Sequence, residues 1–398
     1  MKINLLLLCS VTLIFSACNK DAKWTEVIQS TTPSIIDPGS HKSFTYYSYK
    51  DYLPKFALQS DSPQSASILF SLAGNIPLNP NNPLISDDKA NLGRILFYDK
   101  KMSANGEVAC ASCHIQSKAF TDGLDFSKGL QGESTTRSSM SIQNLAFINN
   151  YFWDSRTQSL EALVKQPLLN KIEMGNHSMD EVVARLKTVS YYPELFQNAF
   201  GSEGINEASV AKALLHFVQS IYSSNTKFDK GVEYGFQNFN VEEIAGMSLF
   251  NGKAGCNHCH TAPTFAAQDF VGGAYGQPAG PINIKKGPIA EGRTNNGLNN
   301  TVSGTDMFKI PTLRNIALTA PYMHDGRFNT LSDVIEHYDH GIVMNPSLDP
   351  ALMDLTTNEP KAKKLNLSTA EKSALKAFLN TLTDPELIKA SRYSSPFE

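Results

Sequence analysis

Two stretches of the chain, CASCH at residues 110–114 and CNHCH at residues 256–260, share the pattern C-x-x-C-H. This is the spacing by which a c-type haem is attached, because the two thiols can add to the two vinyl groups of one porphyrin. The histidine after the second cysteine then supplies the proximal ligand of the iron. The pattern therefore predicts two covalently bound haem c groups. Their attachment residues are Cys110, Cys113, Cys256 and Cys259, and their proximal ligands are His114 and His260.

The four cysteines have two other interpretations. A structural zinc site built from two C-x-x-C pairs usually has the pairs about 15–20 residues apart, and here they are much farther apart in the chain. Two local disulfides or thioredoxin-like redox pairs are the other alternative, but neither pair follows the strand-to-helix pattern of such motifs. Haem attachment also explains the histidine after each pair.

The composition is that of an ordinary globular protein. The chain has 398 residues, of which 41% are hydrophobic, and this suits two or three domains with cores of normal size. The net charge is −3 at pH 7. Because nucleic-acid binding usually leaves a basic footprint, nucleic acid is not expected as a partner.

Residues 1–18 have the pattern of a bacterial lipoprotein signal peptide. Lys2 gives the positive start, residues 3–15 are mostly apolar, and FSAC at 15–18 resembles a lipobox. The cysteine of a lipobox, here Cys18, is lipidated and becomes the mature N-terminus; a plain cleaved signal is the alternative. No later stretch is apolar enough to span a bilayer. We therefore expect a periplasmic or cell-envelope protein that contacts the membrane only through a lipid anchor.

Both haem motifs follow a helical pattern, which indicates an internal duplication. Before the first, apolar residues recur at helical spacing in LGRILFYD at 92–99. Before the second, Asn240 with Glu243 forms a capping box, and Ser368 with Glu371 forms another near the C-terminus. No stretch alternates with the two-residue period of a strand. The fold is therefore predicted to be all-α.

These patterns divide the chain into five predicted segments. Residues 1–18 are the signal peptide, and residues 19–84 are a tether with an irregular N-terminal extension. Residues 85–239 form an N-terminal cytochrome c-like domain, and residues 240–385 form a C-terminal one. Residues 386–398 are a tail.

Four further stretches are distinctive: LGRILFYD (92–99), NNYFWDSR (149–156), KIEMG (171–175) and FKIPTLRNIALTAPYMHDG (308–326). Together with the two haem motifs they resemble the bacterial di-haem cytochrome c peroxidase family, which also contains MauG, the enzyme that matures methylamine dehydrogenase. The resemblance implies two all-α cytochrome c domains, each with one covalently bound haem, facing each other across an interface. The first haem would be the peroxide site, and the second would handle electrons.

The resemblance also assigns residues to the peroxide site. Many family members have a distal histidine in a loop after the first motif, where the segment 127–132 of this chain has Leu130. Leucine cannot ligate iron, so the first haem is expected to be five-coordinate and open to peroxide. Glu173 matches the family's catalytic glutamate, which moves a proton between the peroxide oxygens; an exposed glutamate at a helix end is the alternative. A glutamine that often assists it would fall at Leu163.

Trp153 matches the tryptophan between the two haems, where an indole shortens the electron's path; a buried core aromatic is the alternative. For the second haem, the motif at 308–326 aligns the distal ligand position with Tyr338. MauG-like members have tyrosine there, whereas electron-accepting members use methionine, which raises the potential. Four other residues compete as this ligand: Met323, Met344, His337 and His340.

Family members also hold a calcium ion between the domains. Main-chain oxygens at positions matching Thr319 and Pro321 contribute to that site, and such oxygens suit calcium. The side-chain ligand, normally asparagine, falls at Ser138, so calcium binding stays open. His324 and Arg314 are expected to support the haem pocket or its propionates.

The resemblance implies an oxidoreductase that acts on peroxide. The leading hypothesis is a peroxidase that reduces hydrogen peroxide to water with electrons from a small redox protein, a cytochrome c or a copper protein. A second is a MauG-like enzyme that oxidises protein side chains through high-valent haem, which Leu130 and Tyr338 together favour. A third is a non-catalytic electron-transfer lipoprotein with two six-coordinate haems. Family members are often homodimers, which the sequence leaves open.

Overall fold

The computed structural model describes residues 35–36, 43–49, 52, 84–148, 150–266, 308–344, 348–356 and 359–397. The predicted signal peptide at 1–18, its lipidation site Cys18 and most of the predicted tether at 19–84 lie outside these residues. Within the described ranges, no helix is both long and apolar enough to cross a membrane.

The described part of the chain is helical, as predicted. Its α-helices are α1 (Asp87–Tyr98), α2 (Cys110–Cys113), α3 (Leu160–Leu169), α4 (Met179–Lys187), α5 (Tyr192–Phe200), α6 (Glu207–Gln219), α7 (Lys227–Glu233), α8 (Val241–Asn251), α9 (Leu331–His340) and α10 (Thr369–Asn380). Single turns of 3₁₀ helix lie at Lys100–Met102, Gln116–Lys118, Leu145–Phe147, Gly201–Glu203, Cys256–His258, Ile316–Leu318, Pro350–Leu352 and Ser391–Tyr393. Two antiparallel pairs of short strands join β1 (Ile35–Ile36) to β2 (Ser43–Phe44) and β3 (Met353–Asp354) to β4 (Lys361–Ala362).

Hydrogen bonds at the N-caps confirm two of the predicted helix starts. The Asn240 side chain accepts a hydrogen bond from the Glu243 amide at 2.8 Å, and the Glu243 carboxylate accepts one from the Asn240 amide at 2.8 Å. Ser368 and Glu371 form the same reciprocal pair. Each pair satisfies two amide groups, one of them left without a partner by the first turn of the helix, and so determines where α8 and α10 begin.

Two helix pairs, α1 with α6 and α8 with α10, form the centre of the fold. A glycine lies at each crossing: a Cβ atom on Gly93 would overlap the backbone of Ala213, and one on Gly246 would overlap the backbone of Ala374. The absence of a side chain lets the two backbones touch. We call the part of the chain around α1 and α6 the first module, and the part around α8 and α10 the second module.

Each module has its own hydrophobic core with the same aromatic pair at its centre. Phe97 and Phe217, one turn beyond the crossing of the first module, have ring centroids 5.2 Å apart. Phe250 and Phe378 have the equivalent positions in the second module, with centroids 5.0 Å apart. The repeated crossing and the repeated aromatic pair support the predicted duplication. The domain boundaries themselves stay predictions.

Two terminal segments complete the core of the first module. Phe44 and Tyr49 of the N-terminal extension are buried there, and so is Tyr393 of the C-terminal tail. Arg94 on α1 donates hydrogen bonds to the carbonyl oxygens of Thr45 at 2.7 Å and Ser391 at 3.1 Å. The tail therefore returns from the second module and packs against the first.

Candidate active site

The first haem motif lies on α2 and the residue that follows it. The amide of His114 donates a hydrogen bond to the carbonyl oxygen of Cys110 at 3.0 Å, which keeps the imidazole one turn from the first thiol. The Nδ1 atom of His114 lies 2.9 Å from the carbonyl oxygen of Phe120. Because a carbonyl can only accept, Nδ1 carries the proton, and the lone pair of Nε2 is free for a metal.

The second motif repeats this arrangement on a 3₁₀ turn. The amide of His260 donates to the carbonyl oxygen of Cys256 at 2.9 Å. Its Nδ1 atom lies 3.1 Å from the carbonyl oxygens of both Phe265 and Pro311. Burial lowers the pKa of His260 to about 4 and lowers that of His114 as well. Both imidazoles are therefore neutral at physiological pH, which is the form that ligates iron.

The positions of the four motif cysteines argue against a shared zinc site. Burial raises the pKa of the Cys110 and Cys256 thiols to about 12, and that of the Cys113 and Cys259 thiols to about 11. None forms a disulfide. Among the described residues, the one group of potential metal ligands within reach of one another lies elsewhere, on α9, so the two pairs do not combine into a four-cysteine site.

A cavity of about 420 Å³ lies beside the second motif and extends to the junction of the modules. Its lining is mostly apolar and includes Cys256, Cys259 and His260. Two thiols and a neutral imidazole on the wall of an apolar cavity are the donor set that haem c needs. The second motif therefore fits the cofactor that its sequence predicts.

Among the five competing distal ligands, Tyr338 and Met323 line this cavity, whereas the other three do not. The His337 ring packs against Phe328 with centroids 5.2 Å apart, and the His340 side chain is 58% exposed beside acidic groups of α9. Met344 is also exposed. Burial raises the pKa of Tyr338, and the nearby thiols add to the effect. Ligation by Tyr338 would therefore release a proton.

Glu173 lies in the turn after α3, near the first motif. Its carboxylate interacts electrostatically with the thiols of Cys110 and Cys113. Burial raises the pKa of Glu173, and the charge of Arg156 opposes that rise. Leu130 lies against the same turn: its amide donates to the carbonyl oxygen of Ile172 at 2.7 Å. Glu173 and Leu130 therefore lie at the same turn.

Trp153 lies at the junction of the two modules, where two backbone hydrogen bonds join one module to the other. The amide of Ser138 donates to the carbonyl oxygen of His324 at 2.9 Å, and the amide of Lys309 donates to that of Trp153 at 2.7 Å. The indole Nε1 donates to the carbonyl oxygen of Ser138 at 2.9 Å. The rings of Trp153 and His324 pack edge to face with centroids 6.4 Å apart. The position between modules is clear, and the redox role stays a prediction.

Comparison with known proteins identifies the family. A family model described as di-haem cytochrome c peroxidase matches residues 87–235, which contain the first module. Over 309 residues the chain is 35% identical to the methylamine utilization protein MauG of Methylorubrum extorquens, covering 77% of this chain and 81% of that protein. The chain belongs to the di-haem cytochrome c peroxidase family.

Other relatives include a peroxidase and a MauG-like protein. The cytochrome c551 peroxidase of Nitrosomonas europaea is 32% identical over 270 residues, covering 67% of this chain and 77% of that protein. The crystal structure of a MauG-like protein associated with microbial copper homeostasis matches with a TM-score of 0.65 and 32% identity, covering 86% of this chain and 100% of that chain. These relatives support peroxide chemistry of the cytochrome c peroxidase kind without selecting a branch.

The residues at the three positions of the family's calcium site line one cavity. Ser138, Thr319 and Pro321 all line the cavity beside the second motif. Arg314, which is expected to support the haem pocket or its propionates, donates hydrogen bonds to Asp229 at 2.6 and 2.9 Å and to the carbonyl oxygen of Pro263 at 2.6 Å. These bonds fix the segment 311–314, and the carbonyl oxygen of Pro311 in that segment orients the His260 ring.

Sequence reasoning missed Arg156 and its hydrogen-bond partner Gln166. Arg156 is the last residue of the motif NNYFWDSR, and it is the cation that acts on Glu173. Gln166 accepts a hydrogen bond from Arg156 Nε at 2.8 Å. The residue types alone are typical of any exposed surface. The signal that could have found them is the position of Gln166 one helical turn after Leu163.

Proposed function

We propose that the protein is a di-haem c-type peroxidase that reduces hydrogen peroxide to water with electrons from a small redox protein. Membership of the family supports the peroxide chemistry. The observation that carries the proposal is that Glu173 and Leu130 lie at the same turn after α3. One residue can move protons, and the other cannot occupy a coordination position.

Bound haem c would supply one-electron redox chemistry at each motif and an iron at which the peroxide O–O bond is cleaved. Reduction of one peroxide to two waters consumes two protons and two electrons. The Glu173 carboxylate is the group that accepts the proton from one peroxide oxygen and delivers it to the other. Burial raises its pKa towards the range in which both transfers are efficient.

Leu130 keeps this site open. Its side chain lies against the turn that carries Glu173, since a Cβ atom on Gly175 would overlap it. A distal histidine in this loop would have to leave before peroxide could bind. With leucine, no ligand exchange precedes the reaction, and we propose that the fully oxidised protein is already competent.

Electrons reach the first module through the junction. The Trp153 indole is fixed there by its hydrogen bond to Ser138 and by the His324 ring. We propose that it shortens the electron's path between the two modules. Calcium held by the oxygens of Thr319 and Pro321 would stabilise the same junction. We also propose a periplasmic or envelope location with lipidation at Cys18.

MauG-like oxidation of a protein side chain is the second candidate function. The observation that favours it is Tyr338 in the wall of the cavity beside the second motif. A phenolate ligand lowers the potential of a haem, so the second module would store an oxidising equivalent instead of passing electrons onward. Tyr338→Met is the variant that separates the two, because a thioether ligand raises the potential.

The test is an absorption spectrum of the oxidised two-haem protein with and without peroxide, followed by turnover with candidate donors. We expect a rapid high-spin change at one haem and stoichiometric consumption of reduced cytochrome c or copper protein. Copper proteins belong in the donor panel because one relative is associated with copper homeostasis. An inert six-coordinate spectrum would overturn the proposal. A peroxide reaction without donor oxidation would transfer support to the MauG-like function.

A further inference from the structure

An arginine at the junction of the modules has a buried nitrogen without a partner. The Nη1 atom of Arg137 is shielded from solvent and forms no hydrogen bond with the described residues. Burial lowers the pKa of Arg137, and the charge of Asp154 opposes that change. The Asp154 carboxylate itself pairs with Arg156 at 3.0 Å. Because an unmet hydrogen bond at a buried charged group costs free energy, the guanidinium is suited to hold an anion that the polypeptide does not supply.

A stack of rings holds the Arg137 guanidinium against the second module. Its central carbon lies 4.9 Å from the centroid of the Phe308 ring, a cation–π arrangement. The Phe308 ring in turn stacks on His324, with centroids 3.9 Å apart and planes 13° apart. The His324 ring meets Trp153 edge to face. A cation of the first module is therefore fixed on an aromatic ring of the second.

This stack lies at the rim of the cavity beside the second motif. Ser138, the residue after Arg137, lines that cavity, and so does Phe308. Two lysines, Lys309 and Lys363, are also in the lining, whereas no carboxylate of the described residues is. An acidic group on a ligand in this cavity therefore meets cations and no competing anion.

The attachment chemistry predicts which edge of a haem would face the stack. The thioether bonds of haem c hold one edge of the porphyrin at Cys256 and Cys259, and the two propionate groups extend from the opposite edge. The cavity extends from these cysteines to Trp153 and Phe308 at the junction. The propionate carboxylates would therefore point to the junction, where the Nη1 atom of Arg137 is unpaired.

We propose that Arg137 of the first module binds a propionate carboxylate of the haem that the second motif holds. The contact is a charge-assisted hydrogen bond, and the Phe308 ring keeps the guanidinium in place for it. The first module thereby completes the haem site of the second, and the haem links the two modules. This inference goes beyond the proposed peroxidase function, because it needs the haem of the second motif and no turnover.

The contact predicts an effect on the reduction potential of the second haem. A propionate anion near the iron favours the ferric state, because ferric haem carries one more positive charge than ferrous haem. Arg137 offsets that anion, so its loss should lower the potential. Asp154, Arg156 and His324 are the other titratable groups that interact electrostatically with Arg137. Burial lowers the pKa of His324 to about 4, so measurement at neutral pH keeps that ring uncharged.

The test uses the mature two-haem protein with Arg137→Met, Arg137→Gln and Arg137→Lys. Mass spectrometry first verifies that both haems are attached. The first readout is the potential of each haem, measured by spectroelectrochemical titration. The second is resonance Raman scattering from the propionate groups, whose bending bands shift with hydrogen bonding to the carboxylates. Arg156→Gln is the matched control, because it removes a nearby positive charge that is already paired with Asp154.

We expect Arg137→Met to favour the ferric form of the second haem about tenfold at a fixed applied potential, which is a downward shift of about 59 mV for one electron. Arg137→Gln should give a similar shift, since an amide does not supply the charge. Arg137→Lys should keep most of the potential. The propionate bands of the second haem should move in Arg137→Met and stay in place in Arg156→Gln.

Several results would overturn the inference. One is an unchanged second-haem potential with unchanged propionate bands in Arg137→Met. Another is a larger shift at the first haem than at the second, because the propionate would then belong to the first haem. A third is a second-haem potential of the unaltered protein that depends on added phosphate at constant ionic strength, because the guanidinium would then hold an anion from solution.

The remaining variants keep the test decisive. If Arg137→Met does not retain both haems, the difference in second-haem potential between Arg137→Gln and Arg137→Lys decides, and equal potentials contradict the inference. Peroxide turnover is not a readout here. An unaltered protein that binds two haems but does not react with peroxide would overturn the proposed function and leave the result for Arg137 unaffected.

Discussion

The two modules share one scaffold and differ in what faces the candidate haem. Each has a glycine at its helix crossing, an aromatic pair one turn away, and a proximal histidine whose Nδ1 is bonded to a backbone carbonyl. In the first module the predicted peroxide-site residues are Glu173 and Leu130, which share one turn. Beside the second motif lie Tyr338 and Met323. The scaffold around the motifs is duplicated, and the residues predicted for the distal positions differ.

This difference separates the residues that hold the scaffold together from the residues predicted to carry the chemistry. The shared features lie on helices and directly after the motifs, where they determine whether haem can be held at all. Three of the four divergent residues lie in turns and loops outside the helices, and Tyr338 alone is on a helix, α9. In enzymes the helices usually form the scaffold, and the residues that carry the chemistry lie largely on connecting segments. It predicts that equivalent changes affect stability similarly in the two modules but activity differently.

The largest difference is expected for the residues that move protons or ligate iron. Glu173→Gln keeps the shape of the side chain and removes its base, so peroxide turnover should fall by about a hundredfold or more. Tyr338→Phe should leave the first peroxide-induced spectral change intact. Stopped-flow absorption measures the peroxide-induced spectral change and the turnover of both variants. Mass spectrometry first verifies that both haems are attached. Glu194→Gln, an exposed carboxylate change on α5, is the control.

The scaffolds are expected to respond equally to loss of their central aromatic side chain. Phe217 and Phe378 are both fully buried. Truncation of either to alanine should lower the free energy of unfolding of its own module by about 3–5 kcal/mol, because it removes apolar contact and leaves a cavity. Hydrogen exchange read by mass spectrometry on peptides from each module reports the effect. The exposed Val241→Ala is the control, and destabilisation of only one module by both variants would contradict the duplication.

An acid-sensitive ion pair is expected to distinguish the second module. Arg314, fully buried, lowers the pKa of Asp229 against the effect of burial. A carboxylate with a lowered folded pKa gives its full stabilisation above its unfolded pKa of about 3.9 and loses it as the pH falls through the folded value. Asp229→Asn should therefore cost about 3–5 kcal/mol at neutral pH and flatten the acid limb of stability below about pH 4. Unfolding followed at several pH values tests this, and an unchanged acid limb in Asp229→Asn would contradict it.

Much of the scaffold could be predicted from the sequence, because it depends on local patterns. The spacing of each C-x-x-C-H motif and the capping boxes at Asn240 and Ser368 lie within a few residues of the structure they determine. The hydrogen bond between Arg156 and Gln166 could not be predicted, since it joins residues ten apart through the packing of a turn on α3. The same holds for the Arg314–Asp229 pair, whose partners are far apart in sequence and meet only in the folded core. Tyr338 was selected by alignment to the family, and its position in the cavity wall leaves ligation itself a prediction.

The smallest expected difference lies in the tail, which packs on the first module alone. The Tyr393 hydroxyl donates to the carbonyl oxygen of Ser220 at 2.6 Å and accepts from the amide of Tyr222 at 3.3 Å. Tyr393→Phe keeps the ring in the core but leaves two buried backbone groups without this partner, which should cost about 1–3 kcal/mol. Hydrogen exchange should rise in α1 and α6 and stay unchanged in α8 and α10. Tyr234→Phe, at an exposed tyrosine, is the control. Equal loss of protection in both modules would mean that the tail couples them, and the two scaffolds would then be one cooperative unit.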